Sequence, residues 1–191
     1  MSGPLQSLKA FIENYVVLKQ EDWSIICSNF HLKTFKKGEH ILTKGEVCSQ
    51  LYFLESGLLH FYIWKDGEPK TKFFTIAPYM FTSQRSFNIQ TPALENIQAI
   101  EDSTVWKVSF TDHQNLLKLP VWNSFGQKIT QEVQFFTENI LEDVQNETAE
   151  KRYQLILKNR PELLQRVPLK FLASYLGITQ QSLSRIRKNI H

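Results

Sequence analysis

The stretch LKFLASYLGITQQSLSRIRKNI, residues 169–190, decides the fold. It predicts two short helices joined at Gly177, because glycine readily adopts the left-handed backbone that a tight turn between helices requires. Ala173 supplies the small volume needed where two helices cross at roughly 90–120°. Apolar side chains recur at helical spacing, at Leu172, Leu176, Ile178, Leu183 and Ile186. This arrangement is typical of a helix-turn-helix.

The second of these helices has a polar face. Gln181, Ser184, Arg185 and Lys188 follow the i, i+3, i+4, i+7 spacing of one face, which contains no acidic residue. Such side chains bind the base edges and phosphates of DNA. A surface pair of helices whose polar face is merely solvated is the alternative. The joint placement of the turn glycine, the small residue and the apolar positions favours the helix-turn-helix.

The charge of the chain is unevenly divided. Residues 148–191 contain nine basic and two acidic residues, a net charge of +7, whereas the preceding residues carry a net charge of −4. A basic segment attached to a mildly acidic body is typical of a protein that binds a polyanion. The charge division therefore supports nucleic-acid binding independently of the helical pattern.

The composition of the 191 residues, 42% of them apolar, predicts a globular protein with a substantial core. No apolar run approaches the roughly 18 residues of a membrane span, and the start MSGPLQSLKAF lacks a secretory signal, so we expect a cytoplasmic protein with no membrane partner. Cys27 and Cys48 lack the spacing of a disulfide framework or a metal site. The histidines show no ligand spacing, so neither a metal nor a cofactor is expected; they are His31, His40, His60, His113 and His191.

Short segments rich in β-branched and aromatic residues follow two amphipathic helices, predicted over 5–15 and 20–30. Turn signals separate these segments at Lys37-Gly38, Lys44-Gly45, Ser56-Gly57 and Asp66-Gly67. Strands this short and regularly spaced predict an antiparallel barrel or sandwich. The predicted strands cover residues 32–35, 40–43, 51–55, 58–64, 71–76, 97–100 and 104–110.

A long helix is predicted from Pro120 to about Asn146, a stretch with one glycine and no further proline. Its apolar stripe has the spacing of a coiled-coil seam, which favours a homodimer interface over packing on the same chain. A hinge is predicted at residues 146–148, with Thr148 as the N-cap of a helix over 149–159 that Pro161 ends. The stripe consists of Trp122, Ile129, Val133, Phe136 and Ile140.

With this order of elements the chain resembles the cyclic-AMP receptor protein and its Fnr-like relatives, the Crp/Fnr family of homodimeric bacterial transcription regulators. The resemblance covers nearly the whole chain. Its marks among the predicted strands are Gly38-Glu39-His40-Ile41, Lys44-Gly45-Glu46, Leu51-Tyr52-Phe53-Leu54 and Ser56-Gly57. In the C-terminal stretch the family's helix-turn-helix pattern is matched by Leu172, Ala173, Leu176, Gly177, Ile178, Leu183 and Ile186.

The resemblance implies an α+β protein in three parts. Residues 1–118 would form a cyclic-nucleotide-binding-like effector domain, an antiparallel jelly-roll β-roll with flanking helices. Residues 119–146 would form the dimerisation helix, and residues 147–191 the DNA-binding domain. Because the sequence ends one residue past the second helix of the motif, this last domain is expected to be winged-helix-like without a full wing.

The family reads DNA through positions that match Gln180, Gln181 and Arg185. Physical chemistry leads to the same residues, since arginine pairs with O6 and N7 of guanine and glutamine with N6 and N7 of adenine. Lys170, Arg152 and Arg187 would add affinity that salt weakens, and pairing through the long helix would place two recognition helices about 34 Å apart on a palindromic operator. The predicted DNA-binding set is Thr179, Gln180, Gln181, Ser182, Ser184, Arg185 and Lys188, with Thr179 and Ser182 placed on phosphates.

One departure from the family concerns its cyclic-nucleotide pocket, which carries Gly-Glu and then Arg-Ser or Arg-Thr. Here residues 79–97 contain no glycine, and Leu94-Glu95-Asn96 stands where the arginine is expected. A carboxylate facing a phosphate is unfavourable in a semi-buried pocket, so cyclic AMP is not the expected effector. Arg85 and Ser86 could hold an anion from a shifted position, although a solvated Arg85 is the favoured alternative. The candidate effector pocket is thus Arg85, Ser86, Glu95 and Asn96.

A set of aromatic residues would either line an effector cavity or, as we favour, fill the core of the β-roll. These residues are Phe73, Phe74, Tyr79, Phe81, Phe87 and Trp106.

The predicted function is therefore a homodimeric, sequence-specific DNA-binding transcription regulator whose effector is absent or is not cyclic AMP. Double-stranded DNA, a second copy of the chain, RNA polymerase and an unknown small-molecule effector are the expected partners. A regulator that still binds a cyclic nucleotide or a similar anion is the first alternative. An enzyme of the cupin type is the second, and it is disfavoured because the sequence offers neither clustered histidines nor paired carboxylates at useful spacing.

Overall fold

The computed structural model describes residues 5–190, which divide into two compact units. The first unit contains the residues up to Phe61 and Phe74–Val133, and the second contains Tyr62–Phe73 and the residues from Gln134 onward. Residues 1–4 and His191, at the outer ends of the first and last predicted domains, lie outside the described part of the chain. The domain boundaries predicted at 118/119 and 146/147 stay predictions. Along α5, the division between the two compact units falls between Val133 and Gln134.

Two four-stranded sheets form the predicted β-roll. One sheet has the order β1 (His31–Phe35), β8 (Ser103–Ser109), β3 (Gln50–Ser56) and β6 (Tyr79–Phe81). The other has the order β2 (His40–Leu42), β7 (Asn96–Ala99), β4 (Leu58–Lys65) and β5 (Glu68–Ile76). The β1–β8, β2–β7, β3–β6 and β3–β8 ladders are antiparallel, and the α+β fold with an antiparallel roll is confirmed.

The helices predicted from the sequence are present near both ends of the described chain and along its long middle segment. Within residues 5–190 the helices are α1 (Gln6–Glu13), α2 (Gln20–Ser28), α3 (Gln84–Ile89), α4 (Phe110–Leu116), α5 (Pro120–Asn146), α6 (Ala149–Asn159), α7 (Pro161–Arg166), α8 (Leu169–Leu176) and α9 (Gln180–Ile190). None of the described helices is both long and apolar enough to cross a membrane.

Four short elements are not predicted from the sequence: β6, α3, α4 and α7. Phe110, predicted to end a strand, instead begins α4, because the Ser109 hydroxyl accepts a hydrogen bond from the Asp112 N–H at 3.0 Å and caps the helix. Pro161 does follow the end of α6, but it also begins α7, where a residue without an N–H loses no helical hydrogen bond. The predicted N-cap at Thr148 is confirmed, since its hydroxyl accepts from the Lys151 N–H at 3.2 Å.

The core of the first unit joins helices to one sheet of the roll. Side chains from α1, α2 and the beginning of α5 pack against β3, β6 and β8. Aromatic rings dominate the contact, with Phe11 at 5.5 Å from Phe53 and 6.2 Å from Phe125 between ring centroids. The largest fully buried members are Leu8, Ile12, Ile26, Phe53, Trp122 and Phe125.

Trp122 corrects the predicted dimer interface. Its side chain is only 1% exposed, and its indole N–H donates to Nδ1 of His113 at 3.3 Å. Burial lowers the pKa of His113, which keeps the imidazole neutral and able to accept this bond. Ile129 also packs against the core of this unit. The prediction that Trp122 faces a second subunit was therefore wrong, and Ile129 is largely committed to its own chain.

Glu132 holds α5 to the rest of the first unit. Its carboxylate accepts one hydrogen bond from the Tyr15 hydroxyl at 2.5 Å and another from the Tyr79 hydroxyl at 2.9 Å. Burial, with the bond to Glu132, raises the pKa of Tyr15 above its ordinary range. Lys128 adds a bond from its ammonium group to the Tyr15 carbonyl at 2.6 Å. The face of α5 that carries Glu132 is therefore occupied by the same chain.

The second unit combines the C-terminal helices with the tip of the β4–β5 hairpin. Asp66 and Gly67 form the predicted turn with φ of 54° and 76°, the pair of positive values found in type I′ hairpins. Thr71 donates its N–H to the Ser174 hydroxyl at 2.9 Å and its own hydroxyl to the Phe171 carbonyl at 3.1 Å. Ser174 in turn donates to the Pro69 carbonyl at 3.1 Å. The hairpin tip is thus hydrogen-bonded to α8.

Gly57, between β3 and β4, allows the chain to approach Ser103 of β8 closely in the first unit. Its φ is +114°, and an added Cβ would lie 2.7 Å from Cβ and 2.9 Å from Cα of Ser103. We expect Gly57→Ala to lower the free energy of unfolding by at least about 3 kcal/mol, because backbone strain of roughly 1–2 kcal/mol adds to a clash with the main chain. Urea denaturation followed by circular dichroism measures the change.

Gly38→Ala is the matched control for this prediction. Gly38 also has a positive φ, +90°, but nothing lies within 4 Å of an added Cβ. Its cost should therefore be the backbone strain alone, about 1–2 kcal/mol. If the two variants lost the same free energy of unfolding, the close approach to Ser103 would contribute nothing to the cost of Gly57→Ala.

Candidate nucleic-acid interface

The turn between α8 and α9 is built as the sequence predicts. Gly177 has φ of 71°, and the Ile178 N–H bonds back to the Ala173 carbonyl at 3.0 Å, the pattern of a Schellman cap. The guanidinium of Arg152 donates from Nη2 to the Leu176 carbonyl at 2.5 Å. A cation at the C-terminus of α8 satisfies a free carbonyl and complements the helix dipole.

Arg152 therefore differs from its predicted role. We expected it to contact DNA phosphates, but the side chain is half-buried and bonded to α8. Its Nε is also buried and without a hydrogen-bond partner. Arg152 supports the turn of the motif rather than a phosphate.

Thr179 and Ser182 fix the beginning of α9. The Thr179 hydroxyl accepts from the Ser182 N–H at 3.1 Å, and the two hydroxyl oxygens lie 3.0 Å apart. This is an N-cap, which satisfies one of the free N–H groups of the first turn. The predicted phosphate contacts of these two hydroxyls stay a prediction, and the structure gives both groups a local role first.

The polar residues predicted to read DNA share one surface. A shallow depression is lined by Gln180, Gln181, Ser184, Arg185 and Lys188 of α9. Leu183 lies on the opposite side of the helix and is fully buried, which fixes the orientation of α9. Gln180, Gln181, Arg185 and Lys188 are exposed, whereas Ser184 is half-buried.

This surface presents donors and acceptors without a carboxylate. α9 contains three basic residues, Arg185, Arg187 and Lys188, and no acid. Arginine and glutamine offer the bidentate geometries that match guanine and adenine in the major groove. The arrangement is therefore suited chemically to a polyanion that displays base edges.

Leu169 also lines the depression, and the sequence-based prediction did not include it. It is the first residue of α8 and is half-buried. Its spacing continues that of the buried Leu172, Ala173 and Leu176, at i, i+3, i+4 and i+7. The sequence pattern alone assigns such a residue to the core.

The candidate effector residues do not converge as predicted. Arg85 is exposed on α3, whereas Ser86 is 1% exposed. The Ser86 hydroxyl accepts from the Cys48 N–H at 2.8 Å and donates to the Thr91 carbonyl at 2.5 Å. The Ser86 hydroxyl is thus bonded to the main chain, and the exposure of Arg85 agrees with the favoured interpretation of a solvated side chain.

Glu95 and Asn96 are likewise held by neighbouring groups. The Ser83 hydroxyl donates to Glu95 at 2.7 Å, and the Lys44 N–H donates to Oδ1 of Asn96 at 3.0 Å. Nδ2 of Asn96 is buried without a hydrogen-bond partner. Within residues 5–190, no group of three His, Cys, Asp or Glu side chains lies close enough to hold a metal ion.

The aromatic residues considered for an effector cavity are mostly packed. Phe74, Phe81 and Phe87 are at most 6% exposed. Phe81 lies 4.9 Å from Tyr52 and 6.2 Å from Phe61 between ring centroids, and Phe87 lies 5.3 Å from Phe110. These contacts support the interpretation that the rings fill the roll.

Residues 32–119 match the cyclic nucleotide-binding domain model. No curated protein matches the chain in sequence. The matched residues run from within β1, through the β-roll and α4, to Leu119.

Solved structures extend the likeness over most of the chain. FixK2 from Bradyrhizobium japonicum is 18% identical with a TM-score of 0.69, covering 85% of this chain and 84% of that one. A protein from Eubacterium rectale assigned to the crp/fnr family of transcriptional regulators is 19% identical with a TM-score of 0.70, covering 92% and 87%. The Catabolite Activator Protein of Thermus thermophilus is 18% identical with a TM-score of 0.58, covering 92% and 85%. The predicted resemblance to the Crp/Fnr fold is confirmed.

Proposed function

We propose that this chain is a homodimeric, sequence-specific DNA-binding transcription regulator of the Crp/Fnr type and not an enzyme, with an effector that is absent or is not cyclic AMP. The observation that carries the proposal is the surface of α9, where Gln180, Gln181, Ser184, Arg185 and Lys188 surround one depression. A surface of amide, hydroxyl and cationic groups without acids fits the major groove of B-DNA.

The division of labour on this surface follows from the chemistry of each side chain. Arg185 and Gln181 are one helical turn apart and exposed, so both can reach base edges on the same side of α9. Lys188, one turn further on, is a point charge suited to a phosphate. Base contacts supply sequence preference, and phosphate contacts supply affinity that falls with salt.

The homodimer is supported by an apolar stripe along the later part of α5. Glu132 of this helix bonds to Tyr15 and Tyr79 of the same chain, and the guanidinium of Arg160 lies 5.8 Å from the ring centroid of Phe136. Beside Phe136 runs a heptad stripe, which consists of Val133, Thr137, Ile140 and Val144 at steps of four, three and four. This is the spacing of a two-stranded coiled-coil seam.

Exposure along the heptad stripe agrees with a partner helix. Ile140 is half-buried, and Val144 and the adjacent Leu141 are each 54% exposed. Apolar side chains at heptad spacing are expected to be covered by an identical helix in a symmetric pair. We therefore retain Val133 and Ile140 in the proposed interface and add Val144, while the predicted place of Phe136 in it stays a prediction.

A gel-shift titration tests the DNA-binding part of the proposal. Random-sequence duplexes at low ionic strength should be retarded by the full chain, and the affinity should fall with salt at a logarithmic slope of about −0.9 per neutralised phosphate. Failure to retard any duplex at low ionic strength would remove the proposal.

A regulator that binds a cyclic nucleotide is the second candidate, and the family match over residues 32–119 favours it. The contacts of the candidate pocket oppose it. The family resemblance aligns Leu94-Glu95-Asn96 with the segment that carries the phosphate arginine, and here the Glu95 carboxylate is hydrogen-bonded to Ser83 while Ser86 is bonded to the main chain.

We therefore expect no saturable heat when cyclic AMP or cyclic GMP is titrated into the protein in a calorimeter. Like charges in a partly buried pocket disfavour the complex. A binding heat with a stoichiometry near one per subunit would establish the second candidate instead.

A further inference from the structure

Leu169 is an apolar side chain on a surface otherwise lined by polar ones. It shares the depression with Gln180, Gln181, Ser184, Arg185 and Lys188. The apolar stripe of α8 runs from Leu169 through Leu172 and Ala173 to Leu176. The last three are at most 2% exposed, whereas Leu169 is only half-buried. The core stripe of α8 thus continues for one turn beyond the packed interior and emerges beside the face of α9.

The chemistry of the major groove identifies what such a side chain contacts. Base edges there present hydrogen-bond donors and acceptors and one apolar group, the C5-methyl of thymine. A half-buried leucine makes no hydrogen bond and loses nothing when it displaces water from a methyl group. Beside Gln181 and Arg185, it would recognise the methyl group of thymine, which neither polar side chain recognises by hydrogen bonding.

We propose that Leu169 is a specificity-determining residue that contacts a thymine methyl group at the edge of the site read by α9. This inference rests on the proposed function, since it assumes that α9 lies in the major groove. It assigns one thymine in each half-site to a residue of α8, outside the recognition helix itself.

The test uses a duplex selected by the full-length protein from a random pool. Each thymine is replaced in turn by uracil, which removes the methyl group and keeps the Watson–Crick edge. For the wild-type protein, uracil at one symmetry-related pair of positions should weaken binding about fourfold per methyl, the effect of losing one buried methyl contact. At the other thymines the loss should be smaller.

Two substitutions at Leu169, each with a side chain of volume similar to leucine, distinguish the loss of a methyl contact from a loss of folding. Leu169→Met keeps an apolar side chain and should keep the response to uracil at that position. Leu169→Gln should bind thymine and uracil duplexes equally there. Leu157→Ala, at a half-buried leucine of α6 that does not line the depression, should respond as the wild type does.

The outcomes distinguish this inference from the function on which it rests. Absence of binding to every duplex would overturn both. Sequence-specific binding that is indifferent to uracil at all positions would overturn only the role of Leu169. That role would also be overturned if Leu169→Gln kept the full response to uracil.

Discussion

The double substitution Gln181→Ala and Arg185→Ala should reduce binding to a selected operator by about 30-fold to 25,000-fold, since each bidentate contact with a base contributes roughly 1–3 kcal/mol. Both side chains are exposed on the surface of the depression, and neither contributes to the core of the motif. Affinity for random-sequence duplexes should fall far less, because phosphate contacts by the remaining cations persist. Gel-shift titration on the two kinds of duplex measures the ratio.

Arg187→Ala is the matched control for this double variant. Arg187 is also exposed on α9, but it does not line the depression. Two residues beyond Arg185, it points about 200° around the helix, to the other side. We expect Arg187→Ala to leave base preference unchanged and to lower affinity modestly and equally for all sequences. A loss of preference equal to that of the double variant would place the reading face elsewhere.

A carboxylate in the heptad stripe of α5 should separate the subunits. Ile140→Asp places a charge where an identical helix is expected to cover an apolar side chain, and burying an unpaired charge costs several kcal/mol. We expect the dimer dissociation constant to rise at least about a hundredfold, measured by sedimentation equilibrium. Operator affinity should fall with it, because one subunit occupies only half of a palindromic site.

Phe135→Asp provides the comparison on the same helix. Phe135 is 61% exposed, more than Ile140, yet it lies five residues away and about 140° around the helix. It is outside the heptad stripe. We expect this variant to remain dimeric. If Phe135→Asp dissociates the protein and Ile140→Asp does not, the interface is on the opposite face of α5.

The C-terminal motif was predictable because its signals are local. Three features depend only on residues a few positions away in the sequence: the turn at Gly177, the buried positions of α8 and α9, and the cap at Thr148. Helical spacing and turn chemistry therefore place them correctly without knowledge of the rest of the chain. The strands are predicted for the same reason, by short runs of β-branched and aromatic residues between turns.

For the long helix α5, the apolar periodicity predicts the helix but not the partners of its side chains. Spacing identifies an apolar stripe but not what covers it, and here successive parts of the stripe have different partners. Trp122 packs beside His113 in the first unit, and Phe136 lies under Arg160 in the second. Only tertiary contacts, which join residues far apart in the sequence, distinguish these from the positions assigned to a second subunit.

The sequence could not show whether the candidate effector residues lie together, and the reason is related. Arg85 and Ser86 are neighbours in sequence, but α3 exposes one and buries the other. The bonds that occupy Ser86 come from Cys48 and Thr91, and no local pattern predicts them. Leu169 is the converse case, since its spacing belongs to a core face and its surroundings belong to the surface of the depression.

Selection of bound duplexes from a random DNA pool tests most directly whether paired copies of α9 read the major groove. If they do, the pool should become enriched in an inverted repeat whose half-site centres lie about 10 base pairs, or roughly 34 Å, apart. The repeat should be lost from pools selected with the Gln181→Ala and Arg185→Ala protein. Failure to enrich any sequence at low ionic strength, or enrichment of a single unrepeated motif, would contradict paired reading of the groove by α9.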